Sequence, residues 1–435
     1  MNNFDIIECR WLLTMNNDTL LENQAVVIEN NKIISFGNIK DISKNFNSPK
    51  NRYKLDSHIL MPGLINAHTH SPMVFLRSLA DEVNLQDWLT TSIWPAEKSL
   101  MSTEYIYDGM QLAIYEMILN GTTCINEHYF LTNTIAKACN DFGMRAKIGV
   151  FFGDINSKWA DFDESISMLS SLKSHDLVSY AYAPHSPYLL NDKQLSILSA
   201  NYQANPLTIH IHCNETKFEV DESINKHNKT PIERLDSFGL VNQDTCLVHM
   251  IHSSDSDLDI VKQRNASIIS CPKSNAKLAS GVLHTTKVLS QNINLGIGTD
   301  SAASNNQLSI LDDARLMALN SKIIANSPKA LSAYQCLYAA TMGNAKALGM
   351  QDLIGSITPG KYADIIAINL NKLNTFPQHN PISQIIYSAT TEQITHCWIN
   401  GKLRMQNRVL LDVKEKDLLK TSQKYQAKTA DFCIY

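Results

Sequence analysis

The chain has 435 residues, of which 44% are hydrophobic and 18% are charged, as in a folded globular protein. Its formal net charge is -4 and it has neither a basic block nor an acidic tail, which argues against nucleic-acid or anionic-membrane partners. No basic segment opens the chain and no apolar run approaches a membrane span, so we predict neither a signal peptide nor a transmembrane helix. The nine cysteines are dispersed without a CxxC pair, which predicts reduced thiols and a cytoplasmic protein.

Both ends of the chain are rich in short runs of β-forming residues. Residues 4–57 include a predicted hairpin with a polar turn at 30–32, and similar runs follow Gly355. Neither half offers enough strands to close a core alone. We therefore predict a small composite β-sandwich domain built from residues 1–57 and 354–435, with a final helix over 414–430.

Between the two ends, eight apolar strand-like runs alternate with segments of helical periodicity. The runs cover residues 60–70, 122–128, 145–152, 177–185, 207–215, 245–249, 266–272 and 294–300. Helical spacing of apolar residues is seen over 103–119, 191–204 and 254–263. This alternation predicts a (β/α)8 TIM-type barrel over residues 58–353. The alternative is a doubly wound open sheet, but no GxGxxG motif opens an early strand-to-helix turn.

Residue types that bind metals stand at the ends of the predicted strands, which face one site in a barrel. His68 and His70 are two residues apart and so project to the same side of the first strand. With His212 and Asp300 they supply three imidazoles and one carboxylate, the donor set of a hydrolytic Zn²⁺ site that keeps a position for water. Such a metal lowers the pKa of its water toward about 7. His128, which ends the second run, is predicted to be a packed, hydrogen-bonded histidine instead.

Further strand-end residues are catalytic candidates, and some assignments stay open. His249 either orients the hydroxide or completes the metal shell. Glu215 lies three residues after His212, where it can shuttle a proton onto the substrate. His210 shares a strand face with His212, so one of the two is the ligand and the other fills a deeper layer of the barrel. Asp300 is also compatible with a helix N-cap.

Several segments resemble motifs of the amidohydrolase superfamily, most closely its methylthioadenosine/S-adenosylhomocysteine deaminases and the related triazine hydrolases. In chain order they are PGLINAHTH, HIHCNET, LVHM, SCPKSNAKLASG and GIGTDSAASNN. The resemblance covers nearly the whole chain. It implies one zinc ion at the four ligands named above, with iron or manganese as alternatives. It also implies that His249 orients water and that Glu215 is the proton shuttle.

The resemblance further implies a pocket for a nucleoside. Trp88 matches an aromatic residue that packs near the nucleoside, and His185 matches a histidine that contacts the purine or the sugar. Glu97 matches a glutamate that accepts hydrogen bonds from the two ribose hydroxyls, which suits a carboxylate.

One departure from the family pattern concerns the tail of the substrate. Deaminases that accept S-adenosylhomocysteine carry arginines after the third strand, whereas this chain has none in the segment that follows Arg145. Lys158 is a weaker substitute, because it gives a point charge and not a bidentate fork. Phe151, Phe152 and Trp159 in the same segment suit an apolar methylthio tail.

These features predict hydrolytic deamination of an adenine nucleoside, above all 5′-methylthioadenosine, with adenosine and S-adenosylhomocysteine as alternatives. In this hypothesis hydroxide attacks C6 of the purine, Glu215 protonates N1, and Asp300 passes a proton to the departing ammonia. A second hypothesis keeps the metal site but gives it an s-triazine or a free base such as guanine, cytosine or a pterin. A third is a scaffold without activity, which would bind no metal. Family resemblance also implies a homodimer or a homotetramer.

Overall fold

The computed structural model describes residues 3–83, 85–153 and 161–433, and these residues form two eight-stranded sheets. In chain order the strands are β1 Phe4–Leu13, β2 Leu20–Glu29, β3 Lys32–Asn38, β4 Asn51–Pro62, β5 Leu64–Thr69, β6 Thr122–Glu127, β7 Arg145–Phe152, β8 Val178–Pro184, β9 Ile209–Cys213, β10 Thr245–His249, β11 Ser267–Ser270, β12 Asn294–Ile297, β13 Ile365–Asn369, β14 Ile394–Ile399, β15 Lys402–Gln406 and β16 Val409–Leu410.

The helices fill the segments between these strands. The α-helices are Ile39–Asn45, Leu85–Asp87, Trp94–Leu100, Thr103–Leu119, Thr132–Phe142, Phe162–Ser171, Asp192–Ala204, Lys217–His227, Pro231–Ser237, Asp255–Gln263, Pro272–Lys277, Thr285–Ser290, Ala302–Asn305, Ile310–Ile324, Ala333–Tyr338, Asn344–Ala347, Pro381–Tyr387 and Glu415–Thr429. In the described part of the chain, none of them has the length and apolar character needed to cross a membrane.

Strands β5 to β12 form the barrel predicted from the sequence. Each strand pairs in parallel with the next one along the chain, so their order in space is their order in sequence. This arrangement confirms the (β/α)8 fold class. The predicted helix over 103–119 is found as Thr103–Leu119. The first predicted run, 60–70, is instead two strands separated at Gly63, because residues up to Pro62 belong to the other sheet.

The last barrel strand returns to the first. The backbone N–H of Asp300, just past β12, donates to the carbonyl oxygen of His68 in β5 at 3.0 Å. The buried side chain of Asn344 donates to the carbonyl oxygens of Ile65 and Ile297 at 2.6 and 2.8 Å, which bridges the same two strands. This closure brings residues from the two ends of the barrel sequence to one mouth.

The remaining strands form a separate sheet from both ends of the chain. Its order is β16-β15-β14-β13-β4-β1-β2-β3. Strand β4 joins the two halves, since it pairs in parallel with β1 and in antiparallel with β13. A composite domain made from the chain ends is thus present, as a sheet that is continuous in its hydrogen bonding. The boundaries 1–57, 58–353 and 354–435 stay a prediction, and β4 extends past the first of them.

A buried ion pair holds the barrel against this sheet. Arg145 opens β7, and its Nε and Nη2 donate to the Asp364 carboxylate at 2.6 and 3.1 Å. Nη2 also lies 3.3 Å from Asn400 Oδ1, and the guanidinium lies over the Tyr362 ring. Because both charges are buried and their polar atoms are hydrogen-bonded, we interpret this ion pair as a structural contact between the two sheets.

Candidate active site

Four donor atoms converge at the C-terminal mouth of the barrel: Nε2 of His68, His70 and His212, and Oδ1 of Asp300. We refer to these as the four-atom cluster. His212 Nε2 lies 3.2 Å from both His68 Nε2 and His70 Nε2. Asp300 Oδ1 lies 3.4 Å from His68 Nε2 and 3.3 Å from His70 Nε2. A tetrahedral zinc with ligands at about 2.0–2.1 Å separates its donors by about 3.3–3.4 Å. The four-atom cluster therefore has the spacing of a coordination shell.

Hydrogen bonds on the far side of the rings determine which nitrogen faces this cluster. His70 Nδ1 lies 2.5 Å from the His128 carbonyl oxygen, and His212 Nδ1 lies 2.6 Å from the His185 carbonyl oxygen. Because a carbonyl only accepts, each Nδ1 carries the hydrogen, and a ring that is neutral then turns a lone pair at Nε2 toward the cluster. Burial lowers the pKa of His212 well below its usual value, which keeps that ring neutral. Lone pairs and a carboxylate facing one another fit a bound cation.

The third imidazole is held by another histidine. His68 Nδ1 lies 2.8 Å from His210 Nε2, and burial lowers the pKa of His68 to about 4. His212 therefore presents its Nε2 to the four-atom cluster, while His210 lies behind His68. His68, His128 and His210 also lie close enough together to be considered as a metal-binding group. The 2.8 Å separation is a hydrogen-bond distance, however, and is too short for two ligands of one metal.

His128 is packed as predicted but is not hydrogen-bonded as predicted. Its ring is fully buried and stacks on the His212 ring with centroids 4.8 Å apart. Neither ring nitrogen has a hydrogen-bond partner among the described residues. The strand-end position directs the ring into the barrel, where imidazoles and apolar side chains surround it.

Asp300 is fixed by three hydroxyl or amide donors. Its Oδ1 accepts from the Ser301 N–H at 2.8 Å, and its Oδ2 accepts from Ser274 Oγ at 2.6 Å and Ser304 Oγ at 3.3 Å. The N-cap of the helix Ala302–Asn305 is Ser301, so Asp300 is not the cap.

His249 and Glu215 form a pair beside the cluster. His249 Nε2 lies 3.7 Å from Glu215 Oε2, and the His249 ring lies nearly parallel to that of His212 with centroids 5.5 Å apart. Burial raises the pKa of Glu215, so this carboxyl can hold a proton closer to neutral pH than an exposed one. The backbone of His249 has φ +75°, a left-handed conformation that is uncommon in non-glycine residues.

The turn that carries Glu215 is held by a second glutamate that the sequence analysis did not identify. Glu219 Oε1 accepts from the Asn214 N–H at 3.1 Å, and Oε2 accepts from the Glu215 N–H at 2.8 Å. Burial raises the pKa of Glu219 to about 8. Thr216 caps the following helix by accepting from the Glu219 N–H. The T-x-x-E spacing of residues 216–219 was the available signal, since it marks a helix start with a backward-reaching glutamate.

The predicted substrate residues lie in different surroundings. Glu97 is half-buried and accepts a hydrogen bond from the Tyr129 hydroxyl, and burial raises the pKa of Glu97 to about 7. His185 is half-buried, with its ring centroid 4.6 Å from that of His212. Trp88 is buried in the main hydrophobic core. Tyr129 was not identified from the sequence.

The two described aromatic residues predicted for the tail pocket lie in different places. The Phe151 ring lies 5.8 Å from the His185 ring, on the side of the site. Phe152 is fully buried in the core packing, because neighbouring residues of a strand point to opposite faces. Its assignment to the pocket was therefore wrong. Lys158 and Trp159 lie outside the described residues.

Comparisons with known proteins agree with this geometry. Residues 59–404 match the Amidohydrolase family. A protein of Teredinibacter turnerae named 5-methylthioadenosine/S-adenosylhomocysteine deaminase is 33% identical over 97% of each chain. A protein of Methanobrevibacter smithii named 5′-deoxyadenosine deaminase is 35% identical over 92% of each chain. The solved structure of an adenosine deaminase from Xanthomonas campestris with bound zinc is 36% identical, with a TM-score of 0.96 over 98% of both chains. The chain belongs to the amidohydrolase family.

Proposed function

We propose that this protein is a zinc-dependent hydrolytic deaminase of adenine nucleosides. The observation that carries the proposal is the four-atom cluster, in which three imidazole nitrogens and a carboxylate oxygen face one point beside His249 and Glu215. The relatives that match nearly the whole chain are named deaminases of methylthioadenosine, S-adenosylhomocysteine or 5′-deoxyadenosine. A triazine or a free base on the same metal site is the less supported alternative.

The proposed metal ligands are His68, His70, His212 and Asp300. Zinc bound there supplies a Lewis acid that lowers the pKa of a water toward about 7. The choice of His212 over His210 is supported by the direction of their nitrogens, because His210 contacts His68 on the side away from the cluster. Iron or manganese at the same ligands remains the alternative.

Glu215, His249 and Asp300 are the proposed catalytic residues. The reaction adds water at C6 of the purine and releases ammonia, leaving the inosine analogue. Glu215 donates a proton to N1 as the C6–O bond forms, which its raised pKa favours near neutral pH. His249 orients the attacking oxygen. The attacking water loses two protons: one restores Glu215, and Asp300 takes the other and passes it to the departing amino group, so the protons balance.

The proposed nucleoside contacts are Trp88, Glu97 and His185, with Glu215 at the purine. One Glu97 oxygen accepts from Tyr129, which leaves the other for the ribose hydroxyls. The absence of an arginine in the segment after Arg145 favours the methylthio tail over a homocysteine carboxylate. We therefore propose 5′-methylthioadenosine as the preferred substrate, ahead of 5′-deoxyadenosine, adenosine and S-adenosylhomocysteine.

An ammonia-release screen of the zinc-loaded protein tests this proposal. The panel contains the four nucleosides together with guanine, cytosine and an s-triazine. We expect turnover of the nucleosides, with the highest kcat/KM for 5′-methylthioadenosine. Turnover of a free base or a triazine alone would contradict the proposal. The variant Glu97→Ala is the matched control, because it should raise KM for nucleosides and leave a free-base substrate unaffected.

We also propose a cytoplasmic location and a homodimer or homotetramer. Both proposals rest on family membership and on the dispersed cysteines. Size-exclusion chromatography with light scattering measures the oligomeric state directly. A monomer at micromolar concentration would contradict the proposed homodimer or homotetramer.

A further inference from the structure

The helix Pro272–Lys277 directs two side chains at the catalytic residues. It follows β11 directly and belongs to the segment SCPKSNAKLASG, to which no role has been given. Ser274 Oγ donates to Asp300 Oδ2 at 2.6 Å, and Asn275 Nδ2 lies 2.9 Å from His249 Nδ1. Ser274 is fully buried and Asn275 is 3% exposed, so water does not compete for either contact. One short helix thus contacts both residues.

The two neighbours of the His249 ring favour the same tautomer. The amide nitrogen of Asn275 only donates, so it requires a lone pair at His249 Nδ1. On the opposite side of the ring, Nε2 faces Glu215 Oε2 at 3.7 Å. While Glu215 is ionised, before it takes up the proton that it donates to N1, its carboxylate attracts an N–H and repels a lone pair, which places the hydrogen of a neutral His249 ring at Nε2. The contact with Asn275 and the contact with Glu215 are independent of each other, and both favour hydrogen at Nε2 of His249.

We propose that Asn275 is a positioning residue that holds His249 as the Nε2–H tautomer and thereby keeps it out of the metal shell. Distances alone do not exclude His249, since it groups with His68 and His212 closely enough to share a metal. A nitrogen that carries a hydrogen has no lone pair for a metal, however. The same hydrogen lets His249 donate to the attacking oxygen, so in this respect the inference rests on the proposed function.

The contrast with the ligand histidines supports this assignment. His70 and His212 each direct Nδ1 at a backbone carbonyl, which places the hydrogen at Nδ1 and the lone pair at Nε2. His249 directs Nδ1 at an amide donor instead, which reverses the arrangement. The partner of Nδ1 therefore separates the rings that bind the metal from the ring that donates a hydrogen bond.

The test is ¹⁵N NMR of the zinc-loaded protein with labelled histidine, at about pH 8, where an ordinary histidine is neutral. The His249 signals are identified by their loss in His249→Gln. We expect the wild type to show hydrogen at Nε2 and no metal shift at either nitrogen. A wild-type spectrum with hydrogen at Nδ1, or with Nε2 bound to zinc, would overturn the proposal without any further variant.

The isosteric variant Asn275→Asp sharpens the test, because a carboxylate accepts where the amide donated and should draw the hydrogen to Nδ1. We expect the His249 tautomer to switch and kcat to fall by about 10- to 100-fold, with KM changed less than about twofold. The control Asn265→Asp makes the same change at an exposed residue before β11 and should alter neither the His249 tautomer nor kcat. An unchanged tautomer in Asn275→Asp would contradict the proposal. If no nucleoside is turned over but the tautomers are as expected, only the proposed function fails.

Discussion

The two ends of the barrel bury polar groups in opposite ways. At the base, the Arg145 guanidinium meets the Asp364 carboxylate, and Asn400 accepts one of the remaining donors. At the mouth, the three Nε2 atoms and Asp300 Oδ1 face one another as acceptors at 3.2–3.4 Å. The polar groups at the base satisfy one another without a ligand, whereas those at the mouth are proposed to be satisfied by a bound cation. One end of the fold therefore serves stability and the other serves chemistry.

The backbone at the mouth includes three left-handed residues. Asn214, His249 and Asp300, all at the mouth, have left-handed φ values of +51°, +75° and +62°. Such conformations cost on the order of 1–3 kcal/mol each in non-glycine residues and persist where the surroundings hold them. Glu219 and Asn275 are among the side chains that hold this region.

The largest effect is expected from removing a cluster donor. His212→Ala should lower the zinc content from about one per chain to near zero and abolish deamination, since three donors no longer close the shell. His210→Ala is the matched variant two residues away, and it should retain zinc with about 10- to 100-fold lower affinity because it only supports His68. Metal analysis and zinc titration measure both. A larger loss of zinc in His210→Ala than in His212→Ala would show that His210 is the ligand.

Removing the proposed proton shuttle should lower the reaction rate and leave metal binding unchanged. Glu215→Gln is expected to bind zinc normally and to lower kcat by about 10²- to 10⁴-fold, the range of general acid–base catalysis. Single-turnover rates on 5′-methylthioadenosine measure the loss. A variant with the wild-type kcat would exclude Glu215 from proton transfer.

Removing the ion pair at the base of the barrel should lower the stability of the fold and leave the reaction rate unchanged. Arg145→Met leaves the buried Asp364 carboxylate unpaired and should lower the free energy of unfolding by about 3–5 kcal/mol. Denaturant titration at constant zinc measures this change. Zinc content and kcat/KM at low temperature should stay near their wild-type values, and loss of zinc would mean that the two ends are coupled.

The smallest expected effect is a pH dependence of nucleoside binding. Burial raises the pKa of Glu97 to about 7, so the carboxylate proposed to accept from the ribose hydroxyls is lost as pH falls through that value. KM for 5′-methylthioadenosine should therefore rise several-fold from about pH 8 to pH 6, the scale of one lost charged hydrogen bond. In Glu97→Gln the rise should disappear. A KM that falls on acidification would contradict a role for the ionised form.

The sequence was sufficient for the parts of the molecule set by periodicity. Strand ends placed His68, His70, His212 and Asp300 at one mouth, because parallel strands of a closed barrel share a direction. Helical spacing located Thr103–Leu119 without error. Both features depend on residues that are close in sequence.

One contact between distant segments and two local features were not predicted from the sequence. Asn275 meets His249 across 26 residues, and no local pattern identifies that pair. The break at Gly63 was hidden because residues on both sides of it are apolar and buried. Phe152 was assigned to the pocket by composition, although the two-residue period of a strand turns it away from Phe151.

Anomalous diffraction at the zinc edge, on crystals of the wild-type protein, tests the central claim most directly. We expect one peak per chain about 2.0–2.2 Å from His68 Nε2, His70 Nε2, His212 Nε2 and an Asp300 oxygen. No peak at the barrel mouth, or a peak bound by His210 or His249 in place of these donors, would contradict the account.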